Sequence, residues 1–118
     1  MVADVDLPIE YGSLTEEATR WLLDYRFETG HFAIVLPPNV YAFDEIAREA
    51  VRAGGVASKF MSSVRFAGAT FHFFHEATAT MRLRGVVLDG AWCWAPYRWR
   101  NRELVDMLRT RVHRGVVR

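Results

Sequence analysis

The run His31-Phe32-Ala33-Ile34-Val35-Leu36 constrains the fold more than any other part of this chain. Apart from its first residue it is apolar at odd and even positions alike, so neither side of an extended segment here offers a face to water. A strand with that pattern has to be covered above and below, as central strands are. Pro37-Pro38 stops it, because proline donates no ladder hydrogen bond. Whatever surrounds residues 31–36 must supply two apolar layers.

The flanking sequence supplies helices. Residues 1–12 read as an extended lead-in broken by Pro8 and Gly12. Ser13 with Glu16 forms a capping-box pattern, and Leu14, Ala18, Trp21, Leu22 and Tyr25 recur at helical spacing, which predicts a helix over about 14–28 closed by Gly30. Asn39 can cap a second helix whose apolar face holds Phe43, Ile46, Ala47, Ala50 and Val51, ending at Gly54-Gly55. Residues 56–65 fit a helical turn or a strand. From about residue 66 the pattern is that of a β-meander with strands at 69–75, 78–88 and 91–95, the last pair joined at Asp89-Gly90, a strong hairpin signal. Pro96 ends the meander, and Asn101 can cap a final helix bearing Leu104, Val105, Leu108 and Val112, with Gly115 after it. The order α-β-α-β-β-β-α predicts an α+β fold, a small single-layer antiparallel sheet packed with helices in one domain over 1–118.

Composition agrees with a folded domain. The 118 residues are 51% hydrophobic and 25% charged, and there are no repeats or low-complexity tracts. No apolar run approaches the roughly 18 residues that cross a bilayer. Asp4, Asp6 and Glu10 occupy the region where a signal peptide carries positive charge and an apolar stretch. The single cysteine rules out an internal disulfide framework and a cysteine-rich zinc site. The expectation is a soluble cytoplasmic protein with no membrane contact.

The register of the expected hairpin bears on function. Trp92-Cys93-Trp94-Ala95-Pro96-Tyr97-Arg98-Trp99-Arg100 has the mixture of rings and arginines found in single-strand nucleic-acid platforms. A two-residue turn at Asp89-Gly90 pairs Val87 with Trp92 and Gly85 with Trp94, placing both tryptophans on the face of Met81, Leu83 and Val87. They then belong to the core. The opposite face holds Arg82, Arg84 and Cys93, with the two arginines as a solvent-facing row.

Net charge is only +1, yet residues 1–58 hold ten acids and four arginines, whereas residues 59–118 hold eleven basic residues and four acids. Sign asymmetry of that kind marks a potential interaction face. Near the end of the last helix, Arg109, Arg111, His113 and Arg114 complement the helix dipole and need no partner. Arg98, Arg100 and Arg102 crowd the start of that helix, where the dipole disfavours cations and where free N–H groups attract anions. Arg98, Arg102 and Arg109 also fall on one stripe at 100° per residue. Neutralisation by Glu103, Asp106 or acids of the first half is the plainer account of these residues. The functional expectation is a small non-enzymatic binding module that engages an anionic partner, nucleic acid or an acidic protein surface. Arg98, Arg100 and Arg102 lead that site, with Arg82, Arg84 and Arg109 as outer contacts.

Two other readings stand beside it. Sixteen aromatics are more than so small a core hides, so a homo-oligomeric assembly subunit is one. A small enzyme using His72, His75, Glu76 and Asp89 is the other, tested by whether those groups converge. A metal site in Phe71-His72-Phe73-Phe74-His75-Glu76 is not expected, because on a strand His72 and His75 point to opposite faces. No catalytic residue is assigned and no cofactor is expected. Cys93 reads as a small packed thiol, since the register places no base beside it.

Overall fold

A computed structural model describes residues 11–37, 42–75, 87–93 and 102–111. In chain order these form helix α1 (Tyr11–Tyr25), strand β1 (Gly30–Leu36), helix α2 (Phe43–Arg52), strands β2 (Val56–Ser58), β3 (Ser63–Arg65), β4 (Ala69–His75) and β5 (Gly90–Cys93), and helix α3 (Arg102–Arg111). The α+β class and the order of elements agree with the sequence reading. The pairing of the strands does not.

The sheet is mixed and runs β2-β3-β4-β1-β5. As the apolar run requires, β1 is internal, with Ala33, Ile34 and Val35 wholly buried. It is parallel to both neighbours, aligning Ala33 with His72 of β4 and with Ala91 of β5. Among the described strands, antiparallel pairing joins β2-β3-β4, where Ser58 faces Ser63 and Val64 faces Phe71. Residues 56–65, whose pattern fits a helical turn or a strand, are thus a hairpin that extends the sheet by two short strands.

The expected turn at Asp89-Gly90 is the main correction. A type I′ turn needs positive φ at both central residues, and neither Asp89 nor Gly90 has it. The chain instead bends at Asp89 and enters β5 at Gly90. Asp89 N–H donates to the His31 carbonyl at 2.7 Å, and Gly90 then aligns with Phe32. Gly90 lets the backbone pass close to Phe32, since a Cβ there would lie a tight 3.0 Å from the Phe32 ring. Trp92 therefore takes its face from its alignment with Ile34 and not from Val87. It is buried, as expected of a core residue. The other members of that proposed register, Met81, Leu83, Gly85 and Trp94, lie outside the described residues.

Helices α1 and α2 cover one face of the sheet. Trp21 meets the edges of Phe32 and Phe71 at 6.2 and 6.1 Å, Tyr25 packs on Phe32 at 5.7 Å, and Phe43 meets the edge of Phe73 at 4.9 Å. Such tilted and edge-on pairs add roughly 0.5–1.5 kcal/mol each beyond the area they bury. Helix α1 is described over Tyr11–Tyr25, so Ser13 lies within the helix and not before its first turn. Glu16 instead pairs with Arg20 one turn on, at 2.8 Å. The helix ends by Tyr25, where the Arg26 guanidinium takes the Leu23 carbonyl at 2.6 Å, satisfying one of the orphan carbonyls of the last turn. Ala42 stands at the start of α2 with no side-chain cap, and Asn39 lies outside the described residues. Ile46, Ala47 and Ala50 face the core, but Val51 is half exposed and lies off that stripe. In α3, Leu108 is fully buried and Met107 packs against the same core.

The second face of the sheet carries His31, Ala33 and Val35 from β1, Thr70, His72 and Phe74 from β4, and Ala91 and Cys93 from β5, by strand alternation. Its apolar members Ala33, Val35, Phe74, Ala91 and Cys93 are buried. Polarity is therefore concentrated at the end where β1 begins.

Candidate functional site

That polar end is tied together by Asp89. One carboxylate oxygen accepts the His31 backbone N–H at 3.0 Å, while the Asp89 N–H donates back to the His31 carbonyl. The two-way clasp sets the register in which β5 enters beside β1. It needs Gly30, whose φ of +133° suits only glycine and whose Cβ, if present, would collide with the Asp89 carboxylate.

The His31 ring, held on exposed backbone at this clasp, reaches His72 on the next strand. Nδ1 of His31 and Nε2 of His72 are 2.9 Å apart, the ring planes differ by 21° and the centroids are 5.2 Å apart. In a five-membered ring with bonds of about 1.33 Å, a nitrogen lies roughly 1.1 Å from the centroid. The observed separation therefore places both nitrogens close to the line that joins the ring centres. Edge meets edge, and the contact is a near-linear N–H···N hydrogen bond with a single shared proton. With both rings charged, two donors would face each other with no acceptor between them. The same linearity works against a metal ion, because two imidazoles on one ion must aim their lone pairs at a third point. Among the described residues, no group of three or more His, Cys, Asp or Glu side chains could hold a metal.

His75 aligns with Leu36 and lies on the opposite face of β4 from His72, as strand alternation predicts. Of the four groups named for an enzyme, Glu76 lies outside the described residues and His75 is turned away. Asp89 and His72 each bond to His31, the first through its backbone N–H and the second through its ring. His31 itself is absent from the sequence-based candidates, since it lies 41 residues from His72 and 58 from Asp89 and no local motif links them. Cys93 is 2% exposed, a packed thiol.

Of the predicted anion-binding set, Arg102 and Arg109 are described, and both are exposed on α3. Seven residues separate them, which keeps them on one stripe about 10.5 Å apart along the axis. Glu103 in the first turn offsets the unfavourable placement of Arg102 at the helix start. Arg82, Arg84, Arg98 and Arg100 lie outside the described residues.

On the outer side of the helical layer, α1 and α2 enclose an open groove of about 510 Å³. Thr15, Thr19 and Leu23, spaced four apart on α1, are its half-buried lining. Glu16, Arg20 and Asp24 rim one side, with Glu45 and Glu49 of α2 on the other. Thr19 Oγ1 is buried with no hydrogen-bond partner among the described residues. The turn between β2 and β3 presents Phe60 and Met61 to solvent at 96% and 59% exposure. No helix among the described residues is long and apolar enough to cross a membrane. Comparison with protein-family models, with curated proteins and with solved structures found no match to this chain.

Proposed function

We propose that this chain is a small non-enzymatic binding module of the cytoplasm whose basic C-terminal half engages an anionic partner, nucleic acid or an acidic protein surface. The observation that carries the reading is α3. Leu108 roots the helix in the core, while Arg102 and Arg109 stand exposed on one stripe. Eleven of the fifteen basic residues lie in the same half of the sequence, where only four acids accompany them. A rigid helix presenting spaced guanidinium groups can track phosphates or carboxylates, and arginine forms bidentate contacts with both. The cytoplasmic assignment is supported by the lone, buried Cys93, which suits a reducing compartment.

The test is a salt titration of binding to DNA, RNA, heparin and an acidic peptide. Binding at low salt should weaken as salt rises, and the nucleic-acid and peptide arms separate the two kinds of partner. Replacing Arg102 and Arg109 together with Ala should flatten the logarithmic salt slope for duplex DNA by about 2 if both contact phosphates. Replacing Arg98, Arg100 and Arg102 should do the same or more. Wild-type protein that binds none of the four at low salt sinks the reading, as does a slope untouched by either set of substitutions.

The oligomer reading is favoured by a separate observation, an exposed apolar tip on a chain that also carries an acid-rimmed groove.

A further inference from the structure

We propose that the hairpin tip Lys59-Phe60-Met61 of one copy seats in the groove between α1 and α2 of a second copy. The inference is independent of the anion-binding reading and uses other residues.

The tip is built to present its aromatic. Ser62 N–H donates to the Lys59 carbonyl at 3.2 Å, Met61 N–H donates to Ser58 Oγ at 3.2 Å, and Phe73 N–H of β4 donates to the Ser62 carbonyl at 2.8 Å. Ser62 takes a φ of 50°, so the chain turns sharply just after the apolar pair. These bonds fix the turn to the sheet. Phe60 and Met61 are held outward before any partner arrives, which lowers the ordering cost of docking. An aromatic at 96% exposure in such a turn gives nothing to the core of its own chain. Aromatics and methionine are the side chains that anchor interface centres.

The groove is a matching receptor. Its 510 Å³ lies in the range of roughly 300–1,000 Å³ that encloses compact organic groups. Leu23 and the two threonines offer a partly apolar lining. Charge selects the occupant. Four acids, Glu16, Asp24, Glu45 and Glu49, stand against two arginines there, Arg20 paired with Glu16 and Arg52 paired with Glu49, which leaves the groove net acidic, and the tip carries Lys59, the chain's sole lysine. In its own chain Lys59 stands 3.7 Å from Asp44, an exposed and therefore weak pair, and Asp44 is the residue before the groove's Glu45. Tip and groove thus flank the same end of α2. Neighbouring donor and receptor surfaces on one chain suit a two-fold pair in which each tip reaches the other copy's groove, a closed isologous contact.

Sedimentation velocity over a concentration series, near 50 mM and 500 mM salt, tests this. Wild type should pass from monomer to dimer as concentration rises, and the higher salt should loosen the dimer by screening the Lys59 contacts. Phe60→Ser should weaken association at least about tenfold, as loss of an interface anchor does. Because Phe60 is exposed, its thermal melt should stay that of wild type. Glu45→Lys with Glu49→Lys should also give monomer, and adding Lys59→Glu should restore dimer by reversing both signs. Wild type that stays monomeric to about 1 mM at low salt overturns the proposal. So does a dimer that Phe60→Ser leaves intact, or a charge reversal that restores nothing.

Discussion

Gly30 is the residue on which the polar end of the sheet depends. Its φ of +133° is costly for any side chain, and the space for a Cβ is taken by the Asp89 carboxylate. Gly30→Ala should therefore destabilise the fold by roughly 2 kcal/mol or more in urea melts. In an Asp89→Ala background, which already lacks the bond to the His31 N–H, the same change should cost less by the part owed to collision, since the backbone strain remains. An equal cost of Gly30→Ala in the two backgrounds would show that the clash contributes nothing. The neighbouring histidines make a subtler prediction. A double-mutant cycle on His31→Ala and His72→Ala should return a coupling of about 0.5–1.5 kcal/mol, the usual net worth of one hydrogen bond. Strict additivity would mean the rings touch without bonding. At this scale the sequence is legible where chemistry is local. The apolar, buried character of Cys93 and Trp92 could be read, although the face of each is set by alignment with Val35 and Ile34 of β1 and not by a hairpin at Asp89-Gly90. His31 could not, because its partners come from strands brought together only by the fold.

Among elements, β4 is the clearest success of sequence reading: its residues 69–75 were bounded by pattern alone, and the opposed faces of His72 and His75 followed from alternation. The central strand was legible for a stronger reason, since a segment apolar at both parities has only one kind of place to go. The hairpin at Asp89-Gly90 failed because the dipeptide has two uses. Asp and Gly favour a tight turn, but the same pair lets a carboxylate clasp a neighbouring strand start and lets the backbone pass close to Phe32. Only the partner strand decides, and sequence pattern does not name it. Parallel pairing is likewise silent in local sequence, whereas antiparallel hairpins announce themselves by their turns. For α3, the apolar spacing gave the helix and Leu108 its anchor. Leu108→Ala should cost roughly 2–5 kcal/mol, as deletion of a fully buried leucine does. Arg102→Ala and Arg109→Ala, at exposed positions, should each stay within about 0.5 kcal/mol in the same denaturation series. If the arginine changes proved as costly as the leucine, those side chains would be structural, and their use as an anion-binding row would lose its basis.

For the whole molecule, the division of charge into an acidic first half and a basic second half invites the picture of two separable pieces. The topology contradicts that picture. Helices α1 and α2 and strand β1 come from the acidic half, and β3, β4 and β5 come from the basic half, yet β1 lies between β4 and β5. A cut between residues 58 and 59 would strip β1 of both neighbours and would sever the β2–β3 hairpin at its tip. Phe32 and Trp21 would lose Phe71 on one side, and the wholly buried Ala33, Ile34 and Val35 would be opened to water. The sheet pairings that matter most are long-range ones, formed only after substantial loop closure, so neither piece holds its own reward for folding. Fragments 1–58 and 59–118 should each lack a cooperative thermal transition by circular dichroism. Mixed in equal amounts at low salt, they should recover β-rich structure, helped by the attraction between a −6 and a +7 chain, and should lose it again as salt screens that attraction. A sharp melt from residues 1–58 alone would mean that the acidic half is a folding unit and that β4 and β5 are additions to it. Recovery indifferent to salt would leave complementation standing on strand pairing and aromatic packing, with the charge division reserved for partners outside the chain.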